Sequence, residues 1–95
     1  MREIVISGAD WQTPDDFYIS LLAAIGAPRW HGHNLDALWD SLTGGDINQT
    51  NPPYRVRITG TAQMPKDCQA LIIRFVALIS DARAKGSAVE VVCEQ

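Results

Sequence analysis

Apolar and polar positions along the chain follow two different periods, and the period changes at recognisable boundaries. Ile4-Val5-Ile6 is a short β run that ends at the turn signal Ser7-Gly8. Thr13-Pro14-Asp15-Asp16 reads as a helix start, with Thr13 as N-cap, Pro14 at the first helical position and acids in the first turn. Phe17, Leu21, Ala24 and Ile25 then recur at helical spacing until Gly26-Ala27-Pro28 stops them. A loop through Arg29–His33 leads to a second helix, with Asn34 as its N-cap and Gly44-Gly45 closing it. The polar, turn-rich run from Asp46 to Pro53 predicts a surface loop. Tyr54-Arg55-Val56-Arg57-Ile58-Thr59 alternates strictly, which predicts a strand with Tyr54, Val56 and Ile58 inward. Pro65 opens the longest helix, running to about Lys85. Its broad apolar face of Cys68, Leu71, Ile72, Phe75, Val76, Leu78, Ile79 and Ala82 predicts burial on more than one side. Gly86 suits the position after the helix, and Ala88–Cys93 reads as a terminal strand.

The pattern therefore predicts strands near 3–7, 54–59 and 88–93 and helices near 14–25, 34–43 and 66–85. The strand-to-strand connections of about 46 and about 28 residues contain helices, which favours parallel crossovers over hairpins. The expected class is α/β: a three-stranded parallel sheet packed with helices. A chain of 95 residues fits a single domain, 1–95, around one core.

Composition changes little in this picture. Hydrophobic content of 46% and charged content of 20% are ordinary for a globular protein. No segment approaches the ~18 apolar residues of a membrane span, and the start lacks the apolar core of a signal peptide, so a cytoplasmic protein is expected. Cys68 and Cys93 show no metal-ligand spacing and are expected to be buried thiols in a reducing compartment.

Charge changes it more. Residues 1–50 hold two Arg against seven Asp and Glu, whereas residues 51–95 hold six Lys and Arg against four acids. The acidic half contains the second helix, which has two unlike faces. Leu35, Leu38 and Leu42 form an apolar stripe that must face a core. Asp36, Trp39, Asp40 and Thr43 form another, rotated by roughly a third of a turn. Like charges at i, i+4 weaken a helix by about 0.2–0.5 kcal/mol, so stability does not ask for Asp36 and Asp40 together. A basic partner would explain them. No basic stripe with interleaved aromatics is present, which argues against direct binding of nucleic acid.

Taken as residues alone, these features leave three readings open. Asp36 and Asp40 are a poor general acid/base pair, because two carboxylates on one open helix face lack the differing environments that separate pKa values. His31-Gly32-His33 places two imidazoles close together, but a catalytic zinc wants three protein ligands. A small metal-assisted enzyme using these four side chains is thus one reading, a solvated helix face a second, and a protein-binding face a third. Trp30 and Trp39 favour the third, since an exposed Trp is a typical interface anchor. Trp11 is expected to be a packing residue.

The run Gly32-x-Asn34-Leu35-Asp36-Ala37-Leu38-Trp39-Asp40-x-Leu42-Thr43-Gly44 resembles the inhibitory segment of the barstar family of intracellular ribonuclease inhibitors. Pro28 before it and Ala84-Lys85-Gly86 before the last strand are further echoes. The resemblance implies the same three-stranded parallel architecture, no cofactor and no catalysis. It implies a heterodimer with a basic ribonuclease, an immunity function against a toxic enzyme, and no contact with nucleic acid or membrane. Carried over by position, Asp40 would be the main phosphate mimic and Asp36 a second acidic contact. Trp30 would be an aromatic lid, with Trp39 and Thr43 as flanking contacts. Gly32 and Gly44 would hold the loop and the helix end in shape, and Asn34 belongs to the same segment. Asp81 falls where the family often has a further acid.

Departures from the family pattern cluster at the same place. Arg29 and Lys85 stand where family members often carry acids, His31 replaces an aromatic, His33 often replaces an acid, and Gly45 replaces a bulky aromatic. Each makes the face less negative or less bulky, so a different cognate enzyme and weak binding to barnase itself are expected. Arg29, His31 and His33 are counted with the candidate contacts. A fold-sharing adaptor for a partner that is not a nuclease is the alternative.

Overall fold

The computed structural model describes residues 1–44 and 48–95. Its elements are β1 (Arg2–Ser7), α1 (Pro14–Ile25), α2 (Leu35–Gly44), β2 (Tyr54–Thr59), a single 3-10 turn (Thr61–Gln63), α3 (Lys66–Ala84) and β3 (Val89–Cys93). The strands form one parallel sheet in the order β1-β2-β3, with Arg2 opposite Tyr54 and Tyr54 opposite Val89. This is the α/β arrangement expected from the pattern, with boundaries within two residues.

The alternation of β2 decides which face is covered. Tyr54, Val56 and Ile58 are buried beneath the helices together with Ile4, Ile6 and Val89. Phe17 from α1, Leu38 from α2, and Phe75 and Ile79 from α3 complete the core. Phe17 is its aromatic hub, meeting Trp11, Tyr18 and Phe75 edge-on at centroid distances of 5.7, 5.1 and 5.0 Å. The opposite sheet face carries charge instead of helices. Arg57 donates to Glu3 at 2.9 Å and to Glu94 at 2.7 Å, and Arg55 donates to Glu90 at 3.1 Å. The Arg57 hydrogen bond holds the Glu3 carboxyl below its ordinary range.

Two expectations need correction. Val76, assigned by the pattern to the buried face of α3, is 38% exposed, and neighbouring Ile73 is 71% exposed. A three-stranded sheet and two helices cover only part of α3, and among the described residues no further helix or strand packs over its flank towards the β3 edge. Cys93 is exposed at the end of β3, whereas Cys68 is buried, and burial pushes its thiol up. The expected helix-closing role of Gly45 and the start of the 46–53 loop lie outside the described residues.

The loop that bears the candidate contacts is built from backbone hydrogen bonds. Gly26 ends α1 in the left-handed region (φ 69°), its N–H donating to Ala23 O, while Ala27 N–H donates to Leu22 O. Thr50 N–H donates to Ile25 O at 3.0 Å and Gln49 N–H to Gly26 O at 3.1 Å, so the segment before β2 is tied to the end of α1. A turn follows in which His31 N–H donates to Pro28 O.

Candidate protein-docking site

Asn34 begins α2. Its Oδ1 accepts from Ala37 N–H at 2.8 Å and its carbonyl from Leu38 N–H, the geometry of an N-cap. Gly32 is needed for this cap. A Cβ there would lie 2.8 Å from Asn34 Nδ2 and 3.2 Å from the Ala37 methyl. Leu38 and Leu42 anchor α2 in the core, and the helix packs on α3. Asp36, Asp40 and Thr43 consequently face solvent, and Trp39 is half-buried. Thr43 donates its hydroxyl proton to Trp39 O at 2.7 Å, leaving its oxygen as an acceptor. Trp30, at the tip of the Pro28–His31 turn, is 75% exposed. Arg29 beside it is exposed.

The two histidines part company. His33 is exposed and clasped to α1: its Nδ1 lies 2.7 Å from Asp15 Oδ1, and its ring stacks on Tyr18 at a centroid distance of 6.1 Å. His31 is 5% exposed, with Nδ1 at 2.9 Å from Gly32 O and Nε2 enclosed without a partner. Counted with the candidate contacts, His31 is internal to the loop, because the Pro28–His31 turn folds the ring inward. Among the described residues no group of three His, Cys, Asp or Glu side chains could hold a metal ion.

Gly44 is the last residue of α2, and a Cβ there would meet nothing within 4 Å. Among the described residues nothing around Gly44 excludes a side chain; the residues that follow it lie outside them.

Between α2 and α3 runs a groove of about 350 Å³, with Leu35 and Leu78 as its apolar lining and Asp36, Trp39, Arg74 and Asp81 around them. Arg74 and Asp36 also line an adjacent cleft of about 260 Å³ with Tyr18 and His33. Burial raises the Tyr18 phenol, and the nearby Arg74 charge offsets part of that rise. A second groove, of about 410 Å³, lies on the other flank of α3, along Met64, Ile73, Val76 and Cys93. Among the described residues its lining holds no charged side chain and shares none with the acidic face.

The ion pairs of the described residues lie elsewhere, on the outer sheet face and at Arg83–Glu90, while His33 and Asp15 share a hydrogen bond beside the cleft. Among those residues Asp36, Asp40, Asp81 and Arg74 make no ion pair. Sequence reasoning brought Asp36, Trp39 and Asp81 to one surface. It missed Asp15, Tyr18, Arg74 and Leu78, whose roles come from tertiary neighbours. The i, i+3 spacing of Asp15 and Tyr18 puts them on one face of α1, a signal that is legible but does not name His33.

A loop and helix that display open carboxylates beside Trp30 and Trp39, away from the paired charges of the outer sheet face, define a charged docking face. The family model described as "Barstar (barnase inhibitor)" matches residues 1–94, and the chain belongs to that family. It is also 43% identical over 44 residues to a Bacillus subtilis (strain 168) protein named "Putative ribonuclease inhibitor YrdF". That match covers 46% of this chain and 48% of the relative, about half the length of each. No described helix is long and apolar enough to cross a membrane.

Proposed function

We propose that the chain is an intracellular inhibitor, an immunity protein, that forms a heterodimer with a toxic ribonuclease and occludes its basic active site. The observation that supports this reading is the set of carboxylates Asp36 and Asp40 on α2 and Asp81 on α3, which make no ion pair among the described residues, with Asp36 and Asp81 lining one groove beside Trp39. A ribonuclease active site holds cations to bind RNA phosphates. Carboxylates placed against those cations occupy the phosphate positions, with Asp40 as the principal mimic and Asp36 and Asp81 beside it. Trp30, displayed at the loop tip, covers the catalytic groups, and Thr43 and Trp39 flank the contact. Inhibition by occlusion needs no cofactor and no chemistry from the inhibitor.

Electrostatics also serves the encounter. An acidic face attracts a basic enzyme across about a Debye length, ~10 Å at 0.1 M salt, and raises the association rate. The test is inhibition of RNA cleavage by a panel of small basic bacterial ribonucleases, barnase included. Asp40→Ala should leave the circular dichroism spectrum and melting temperature nearly unchanged, because an exposed acid with a like-charged neighbour stabilises little. It should weaken inhibition of the responsive enzyme by about 2 kcal/mol or more, roughly 30-fold, by stranding buried cations on the partner. An Asp40→Ala protein as potent as wild type refutes the phosphate-mimic role.

A further inference from the structure

Arg74 is the anomaly of the acidic face. It lies on the same stripe of α3 as Asp81, two turns away, a rise of roughly 10 Å. It lines the α2–α3 groove with Asp36, Trp39 and Asp81, and it also lines the adjoining cleft with Tyr18 and His33. A partner that touches both Asp36 and Asp81 must therefore span the ground beside Arg74. The guanidinium is exposed, yet among the described residues it pairs with neither aspartate. Arg55, Arg57 and Arg83 pair with glutamates, whereas Arg2 and Arg29, like Arg74, make no ion pair among the described residues; of these three it is Arg74 that lines the groove with Asp36 and Asp81. A cation left free inside a patch of open carboxylates serves no internal contact, and it opposes the field that attracts a basic enzyme.

We propose that Arg74 is a specificity-determining contact of the docking face, which admits a ribonuclease bearing a carboxylate opposite it and turns away one whose active-site face is basic throughout. This rests on the inhibitor reading. Discrimination then comes from repulsion as much as attraction: wrong partners meet like charge at Arg74, and the right one meets a complementary group. The planar guanidinium suits the role, since it can form two parallel hydrogen bonds to one carboxylate.

Barnase, whose active site is lined by cations for RNA, is the probe for the repulsive half. Inhibition of its RNA cleavage is measured at low salt for wild type, Arg74→Gln, Arg74→Glu and Lys66→Glu. Lys66 begins α3, about 12 Å along the helix from Arg74 and roughly 22 Å from Asp81, so its reversal makes the same change in net charge away from the face. Arg74→Glu should inhibit barnase about tenfold more strongly than Lys66→Glu, with Arg74→Gln between. The gain should shrink as salt is raised towards 1 M, where the Debye length is ~3 Å. Adding Asp40→Ala to Arg74→Glu should abolish the gain. Arg74→Glu no better than Lys66→Glu, whether both inhibit or neither does, overturns the inference. If Asp40→Ala still weakens inhibition of any ribonuclease in the panel, only Arg74's role falls. If Asp40→Ala is without effect throughout, the docking face itself is misassigned.

Discussion

Gly32→Ala probes the point where loop and helix are welded together. The added methyl would sit 2.8 Å from Asn34 Nδ2 and 3.2 Å from the Ala37 methyl. The Ala37 contact is tight but can be relieved by a few tenths of an ångström. The Asn34 contact is different, because that side chain is also the cap: moving Nδ2 aside swings Oδ1 away from Ala37 N–H, 2.8 Å distant. Loss of an N-cap costs about 1 kcal/mol. Against this, Ala restricts the unfolded chain more than Gly does and returns about 0.4–1 kcal/mol, since residue 32 is not in the left-handed region. With the Ala37 crowding added to the difference, Gly32→Ala should destabilise by about 0.5 kcal/mol, a fall in melting temperature of roughly 2–4 °C for a domain of this size. In an Asn34→Ala background there is neither cap to lose nor amide to strike, so the same change should be neutral or slightly stabilising. Urea unfolding of the two single variants and the double variant gives the coupling, expected at about 1 kcal/mol with unchanged m-values. Simple additivity of the two costs would refute the argument.

Two further predictions concern pH. Asp16 Oδ2 accepts from Gln12 N–H and Thr13 N–H, which holds its carboxyl below the ordinary 3.8; its stabilisation is present above that value and is lost as pH falls through the lowered folded pKa, so thermal melts of wild type and Asp16→Asn should differ at neutral pH and converge in acid. Burial of Tyr54 pushes its phenol from 10.0 up to about 12, so the folded state favours the protonated ring and loses stability as pH rises from 10 towards 12; Tyr54→Phe should lose less over that interval, measured by urea unfolding at each pH.

The fold was legible where one residue's period dictates one neighbour. Strict alternation in β2 put Tyr54, Val56 and Ile58 on the covered face, and Thr13-Pro14 and Asn34 marked two helix starts because capping is local chemistry. The exposure of Val76 was not legible. An apolar stripe says that a helix can be buried, whereas the number of neighbours actually available depends on how many strands and helices the whole chain supplies. The same limit applies at the candidate site. Asp36, Trp39 and Asp40 share a face by helical geometry, so the sequence alone assembles them. His31 and His33 are two residues apart in a loop without a period, and nothing local says that one ring turns inward while the other stacks on Tyr18 and meets Asp15. Arg74 belongs to the site only because α2 lies across α3, a fact of packing rather than of spacing.

The way this loop is fastened bears on how an acidic face can bind without folding poorly. Its carboxylates are not isolated from the scaffold's energetics: Asp36 lies in the first turn of α2, where the helix dipole favours an anion, and that offsets the weak repulsion from Asp40 one turn on. The loop ahead of it is held at several points, by the Pro28–His31 turn, by the clasp of His33 on Asp15 and Tyr18, and by the Asn34 cap that Gly32 makes room for. Each tie is worth little alone, the His33–Asp15 pair least of all because both side chains are about half exposed. Together they order the segment before any partner arrives, so association need not supply the entropy of ordering a loop. Trp30 can then be exposed on a fixed turn rather than on a mobile strand of chain. The charges follow the same logic: Arg55, Arg57 and the glutamates of the sheet face pair with one another, whereas Asp36, Asp40 and Asp81 make no ion pair among the described residues and stay open on a surface already in shape for a complementary one.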